Sequence, residues 1–336
     1  MAAHLITDET ITPAALDPAA DAGWLTLSAA ITEEIPNIAD REDLIVTIAP
    51  GAGRGAPACF LPPHAAVEVD GTHLGIDPAT ADPTRPSDRA RYPVAWGLLT
   101  HEAAHARHST WTPPRDAPTA VVDAAMLLEE SRIEAAQIRR RPNDRYWLRA
   151  SATGLILADT RADDPDHAPP MTLRAAATAA ALILARVDAG ILTTAETTDL
   201  ATTIQAALGE EKLAALRGLW QAAHRLSDDD TDAILELGRR WCDTLGTDPD
   251  TDLSSAPTSP DPTSTATTST TGTRSTLAEA IAAALAKVSA AVTTETAPVP
   301  PPDPAAEAAA AARAAEDAAT ETAATAARRV FSARRP

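Results

Sequence analysis

Five consecutive residues carry the chemistry that most restricts this chain: His101-Glu102-Ala103-Ala104-His105, an H-E-x-x-H sequence. Residues four apart on an α-helix stand on one face, one turn from each other. Two imidazoles so placed can converge on one metal ion, with nitrogen ligands about 2.0–2.1 Å from a zinc. Glu102 adjoins the first histidine, near enough to reach a water at the ion without ligating it. It can then serve as general base, since zinc lowers the pKa of such a water to about 7. Zinc-dependent peptide hydrolysis needs this arrangement. A catalytic zinc also needs a third protein ligand.

Candidates for that ligand lie in Met126–Glu134, MLLEESRIE, where Glu129 and Glu130 follow His105 by 24 and 25 residues. A carboxylate inside an apolar helical stretch is costly unless paired or metal-bound. Glu129 falls near the centre of the apolar face defined by Val122, Met126, Ile133 and Ala136. Glu130 instead stacks with Glu134 one turn on, which would make Glu134 a second carboxylate that orients a histidine. Spacing leaves Glu129 and Glu130 both open. Arg132 is expected to pair with a carboxylate, Glu129 among them. His108, three residues after His105, is a further candidate ligand or proton donor. Tyr92 and His224 are candidates to stabilise an oxyanion, and nothing in the sequence selects between them.

These side chains need helices and a scaffold. Apolar spacing predicts a helix over Ala19–Ile35 closed by Pro36. Short β-rich runs follow at Leu44–Ile48, Ala58–Leu61 and Ala66–Val69, with Asp70-Gly71 as a turn. They predict a small, mostly antiparallel sheet against the H-E-x-x-H helix, with an exposed edge over residues 58–69 able to take an extended peptide by strand addition. Gly51, Gly53 and Gly55 follow a strand but precede no helix with Lys-Ser/Thr, so they read as a hairpin rather than a phosphate loop. A helix is predicted from Pro93 to about His108. The next runs from Ala120 to about Arg141, capped by Thr119 and ended by Pro142. Helical pattern continues over 145–160 and from Met171 to Cys242. The expected fold class is α+β, predominantly α.

HEAAH followed by LLEESRIEA resembles the gluzincin arrangement. It is more closely similar to the metallopeptidase-like regions found upstream of bacterial von Willebrand factor A domains. There H-E-x-x-H precedes a helix of the form L-E-[DE]-x-R-x-E, which Leu128–Glu134 matches. The resemblance spans residues 40–245 at most, and its specific part is 98–138. It implies a zincin-like fold, a Zn²⁺ cofactor and a peptide or protein substrate. It also implies an alternative: a non-proteolytic scaffold acting with a von Willebrand factor A protein or a MoxR-type AAA+ ATPase. The D-x-S-x-S adhesion motif of such a domain is not in this sequence.

Composition narrows the remainder. The 336 residues hold 28 Lys+Arg against 47 Asp+Glu, a net charge of −19. A chain so acidic repels phosphate backbones, which disfavours a general nucleic-acid binder. Cys59 and Cys242 are too few and too distant for a disulfide framework, so a reduced, cytoplasmic setting is expected. The start lacks a basic region followed by an apolar one, and the apolar run Ala175–Ala185 is too short to span a bilayer, so no membrane association is expected. Near residue 246 the composition breaks. The expected organisation is a zincin-like domain over 1–245, a disordered Thr/Ser/Pro linker over 246–275, and an Ala-rich helical or disordered tail over 276–336. Leu277, Ile281, Leu285 and Val288 mark one amphipathic helix within that tail.

Overall fold

The computed structural model describes residues 5–18, 20–251 and 275–298. Residues 252–274 of the expected linker and the tail beyond 298 lie outside the described residues. The fold is α+β and mostly helical, with one three-stranded sheet among the described residues.

The first helix, α1 (Ala22–Ala39), runs through Pro36 instead of ending there. An interior proline costs a helix about 3 kcal/mol. Burial of Ile35, Ile38 and Ala39 on either side offsets that cost. The sheet follows as β1 (Ile45–Ala49), β2 (Ala58–Leu61) and β3 (Ala66–Asp70), in the order β1-β3-β2. It is mixed rather than mostly antiparallel. A single 3₁₀ turn, Pro62–His64, with Ala65 at φ 46, reverses the chain between β2 and β3, so that pair is antiparallel. The loop after β1 has already reversed it once, which leaves β1 parallel to β3. The central position of β3 also corrects the expected edge over 58–69, because only β2 has a free side.

One helical turn, α2 (Pro86–Arg89), leads into α3 (Pro93–His108), the predicted H-E-x-x-H helix. Then come α4 (Thr119–Arg140) and α5 (Asp144–Thr160). A longer helical stretch is built from α6 (Leu173–Ala179), a π turn at Ala180–Leu184, and α7 (Ala185–Asp188). The remaining helices are α8 (Thr194–Leu208), α9 (Glu210–Ala223), α10 (Thr231–Leu245) and α11 (Thr276–Thr294).

Two apolar cores result. The sheet-side core holds Leu27, Ile31, Val46, Phe60 and Val67 with Leu98, Leu99 and Ala103 of α3. The helical core holds Val121, Ala125 and Leu128 of α4 with side chains from α5 to α11. Helix α3 is buried nearly all round, and its small residues make that possible. At Gly97 a Cβ would stand 2.1 Å from the Trp147 carbonyl oxygen of α5, so only glycine lets the two helices approach this closely.

The last helix, α11, packs against α5 and α8, with Leu277, Ile281, Leu285 and Val288 buried. The amphipathic stripe read from the sequence is therefore seated in the helical core. By length and composition α11 is also apolar enough to cross a bilayer, with a mean hydropathy of 1.4. The expectation of no membrane association rested on Ala175–Ala185 and overlooked this stretch.

Candidate metal centre

The two cores meet along α3 and α4, and the facing sides of these helices are polar. His101, Glu102 and His105 on α3 face a helix that offers Glu129, Glu130, Arg132 and Glu134, and all seven are 0–1% exposed. Polar groups buried so completely must be bonded to each other or to something else.

Each histidine is held from behind. His101 Nδ1 lies 2.9 Å from Glu134 Oε1. Both Glu134 oxygens also accept from Arg186, at 2.7 Å and 2.8 Å. Burial opposes the charge on Glu134, but the guanidinium and His101 outweigh it and hold its carboxyl below the usual range. An ionised carboxylate only accepts, so His101 Nδ1 carries the hydrogen. His105 Nδ1 lies 3.0 Å from Ser109 Oγ, and that hydroxyl donates to Glu129 Oε1 at 2.6 Å. A hydroxyl has one hydrogen, already given to Glu129, so Ser109 accepts and His105 Nδ1 donates. Glu129 in turn receives the fork of Arg132, at 2.5 Å and 2.7 Å. Each ring is thus fixed with Nδ1 as donor and Nε2 aimed forward.

Both Nε2 atoms face Glu130. His101 Nε2 is 3.3 Å from Glu130 Oε2, and His105 Nε2 is 3.5 Å from Glu130 Oε1. Ligands that share a tetrahedral ion at 2.0–2.1 Å stand about 3.3–3.4 Å apart. The ligand atoms of His101, His105 and Glu130 all lie within 4.8 Å of one another. Glu129 and Glu134 each receive an arginine fork, whereas the nearest guanidinium nitrogen of Arg186 is 4.0 Å from Glu130. His105 Nε2 and both Glu130 oxygens are buried without a hydrogen bond. Burial opposes the Glu130 charge, yet the two imidazoles keep its pKa well below the usual value. At His101 burial likewise opposes the charged form, but Glu130 and Glu134 prevail and raise its pKa to about 9. A cation at that nitrogen suits the field of the site, and a divalent ion can take the proton's place. Two imidazole nitrogens and one carboxylate form a donor set that fits a divalent metal.

Spacing left Glu129 and Glu130 open, and the geometry separates them. Glu130 faces the imidazoles, while Glu129 braces Ser109 and takes the expected pairing with Arg132. Glu134 stands behind His101, as a second carboxylate would. Glu102 is buried beside the two histidines on α3. His108 turns elsewhere: its Nδ1 is 3.0 Å from Asp228 Oδ2, and Arg132 also binds that aspartate and the His108 carbonyl. Tyr92 lies in the sheet-side core, and His224 Nε2 pairs with Ser131 Oγ at 3.0 Å. Sequence reasoning missed Ser109 and Arg186. Ser109 was findable as the hydroxyl one turn after His105. Arg186 follows a π turn, a feature frequent at functional sites, but no local spacing ties it to Glu134.

No known protein family matches this chain, and no curated protein or solved structure is significantly similar to it.

Proposed function

We propose that the protein is a zinc-dependent peptide hydrolase, with His101, His105 and Glu130 as ligands and Glu102 as general base. The observation that carries this reading is the aim of three ligand groups at one point: two imidazoles locked as Nδ1 donors, opposite a carboxylate that no arginine hydrogen-bonds. The H-E-x-x-H register puts Glu102 beside that point. A bound zinc would supply Lewis acidity, polarising a peptide carbonyl and acidifying a water. Glu102 would take the proton of the attacking water and later hand it to the leaving amine. Glu134 and Arg186 would hold the His101 ring, and Ser109, Glu129 and Arg132 the His105 ring. The surrounding apolar cores would exclude bulk water.

A second reading draws support from one observation. His101, Glu102 and His105 are 0% exposed and Glu130 is 1% exposed, so the candidate ligands present almost no surface to solvent. Burial of that kind suits a non-proteolytic scaffold, working with a von Willebrand factor A protein or an AAA+ ATPase. Metal analysis of wild type, Glu102→Gln and His101→Ala, followed by a peptide-library assay, tests both readings. Zinc retained in Glu102→Gln, lost in His101→Ala, and cleavage lost in both is the expected pattern. A wild type without zinc would sink the metal reading. A wild type with zinc and no cleavage of any peptide would favour the scaffold.

A further inference from the structure

The free side of β2 is not bare. Leu5 pairs with Phe60 in parallel register, and Ile6 N–H donates to the Phe60 carbonyl at 2.9 Å. Beyond it, Ile6 and Ile11 pack on Cys59, Leu61 and Ala66. The segment is pinned again downstream. Arg54 donates to the Thr12 carbonyl, and Ala14 N–H donates to the buried Glu68 at 2.7 Å. The order β1-β3-β2 leaves two edges; Ser28 and Thr32 of α1 bond the backbone of β1, and residues 5–14 lie along the β2 edge, with β2 itself packed against the H-E-x-x-H helix.

Leu5 forms part of the wall of a cavity of about 130 Å³, lined also by Met126, Leu182, the carboxylates Asp123 and Asp159, and the candidate ligand Glu130. With Leu5 in place, that remaining space has room for several waters. A strand-added peptide gains affinity from main-chain hydrogen bonds and specificity from such pockets. Here one backbone segment supplies both, on the sheet edge beside the H-E-x-x-H helix.

We propose that residues 5–14 occupy the protein's own peptide groove, with Leu5 in the seat of a substrate side chain. The ligands' lack of exposure then reflects an internal occupant, and the substrates are extended peptides that place a leucine-sized aliphatic residue beside Glu130. Displacing the segment opens the groove. The substrate part rests on the peptide-hydrolase reading above; the occupancy part does not need a metal.

Two full-chain variants test it. Leu5→Gly empties the seat, and Ile6→Pro removes the N–H that bonds Phe60. The probe is a labelled synthetic peptide of residues 1–14, compared with the same peptide carrying Leu5→Asp. Fluorescence anisotropy should show the probe binding both variants at least tenfold more tightly than wild type, and the Leu5→Asp peptide binding none of them. In the wild type, the Ile6 amide should exchange with deuterium at least tenfold more slowly than in the free peptide. Equal probe binding to wild type and variants, or an Ile6 amide that exchanges as in the free peptide, would overturn the proposal. Circular dichroism confirms that each variant is folded, and the two substitutions act independently. Zinc content of the same samples keeps the readings apart. Zinc absent with the binding pattern intact removes the hydrolase and leaves the occupied groove; zinc present with equal binding removes the occupant alone.

Discussion

The contact between Arg186 and Glu134 is the sharpest handle on how the site is held. Arg186 is 1% exposed, Glu134 is 0% exposed, and two hydrogen bonds of 2.7 Å and 2.8 Å join them behind His101. Arg186→Met leaves Glu134 as a buried carboxylate without its guanidinium, a change that typically costs about 3–5 kcal/mol. Glu134→Gln keeps an oxygen for His101 Nδ1 but loses the charge that fixes the ring. Loss of such a supporting partner lowers metal affinity about 10–100-fold, or about 1.4–2.7 kcal/mol. The double variant removes both buried charges together. It should therefore be more stable than Arg186→Met alone, while its zinc affinity stays as low as that of Glu134→Gln. Urea denaturation of metal-free protein gives the stabilities, and competition with a chromophoric chelator gives the affinities. Wild-type zinc affinity in Glu134→Gln would refute the orienting role. Recovery of affinity together with stability in the double variant would show that Glu134 acts only as a packing partner.

Three other outcomes follow from the same geometry. Ser109→Ala removes the acceptor for His105 Nδ1 and the donor to Glu129, and chelator competition should show zinc affinity down by about tenfold. Gly97→Ala drives a methyl into the Trp147 carbonyl and the Ser151 side chain, so urea melts should show a loss of at least about 1–3 kcal/mol. Burial holds the His224 pKa down at about 4, against an ordinary value near 6.5, so the fold keeps this ring neutral where the unfolded chain would protonate it. Its contribution is complete above about pH 6.5, falls as pH drops toward 4, and is level below that. The loss amounts to about 3 kcal/mol at most. His224→Gln should flatten stability over that window, measured by urea melts at pH 7, 5.5 and 4.5.

What could be read from the sequence was what a single helix dictates. His101 and His105 share a face because they are one turn apart. The pair Glu130 and Glu134 obeys the same rule, so the supporting role of Glu134 was legible before its partner was known. Glu129 and Glu130 were not separable, because neighbours on a helix point about 100° apart and the choice depends on how α4 rolls against α3. That roll is set by Val121, Ala124, Ala125 and Leu128 entering the helical core, a tertiary fact. The helix at 276–294 was visible as a pattern, yet its place was not, since its partners on α5 and α8 are far away in the sequence. The sheet was found strand by strand, but its order was missed. Two loop reversals fix the strand directions, but the insertion of β3 between β1 and β2 is a tertiary pairing that alternation does not encode.

The order of those three strands joins the parts of the molecule that sequence spacing leaves separate. Because β3 is central, β2 has one open side, and that side lies next to the helix with the two histidines. An open edge is a template for any extended backbone, and a soluble fold must cover it or be exposed to unwanted pairing. Residues 5–14 cover it, and Leu5 among them lines the same cavity as Glu130. Under the proposed occupancy, edge protection and site closure are one structural device, and both should be released by the same substitution.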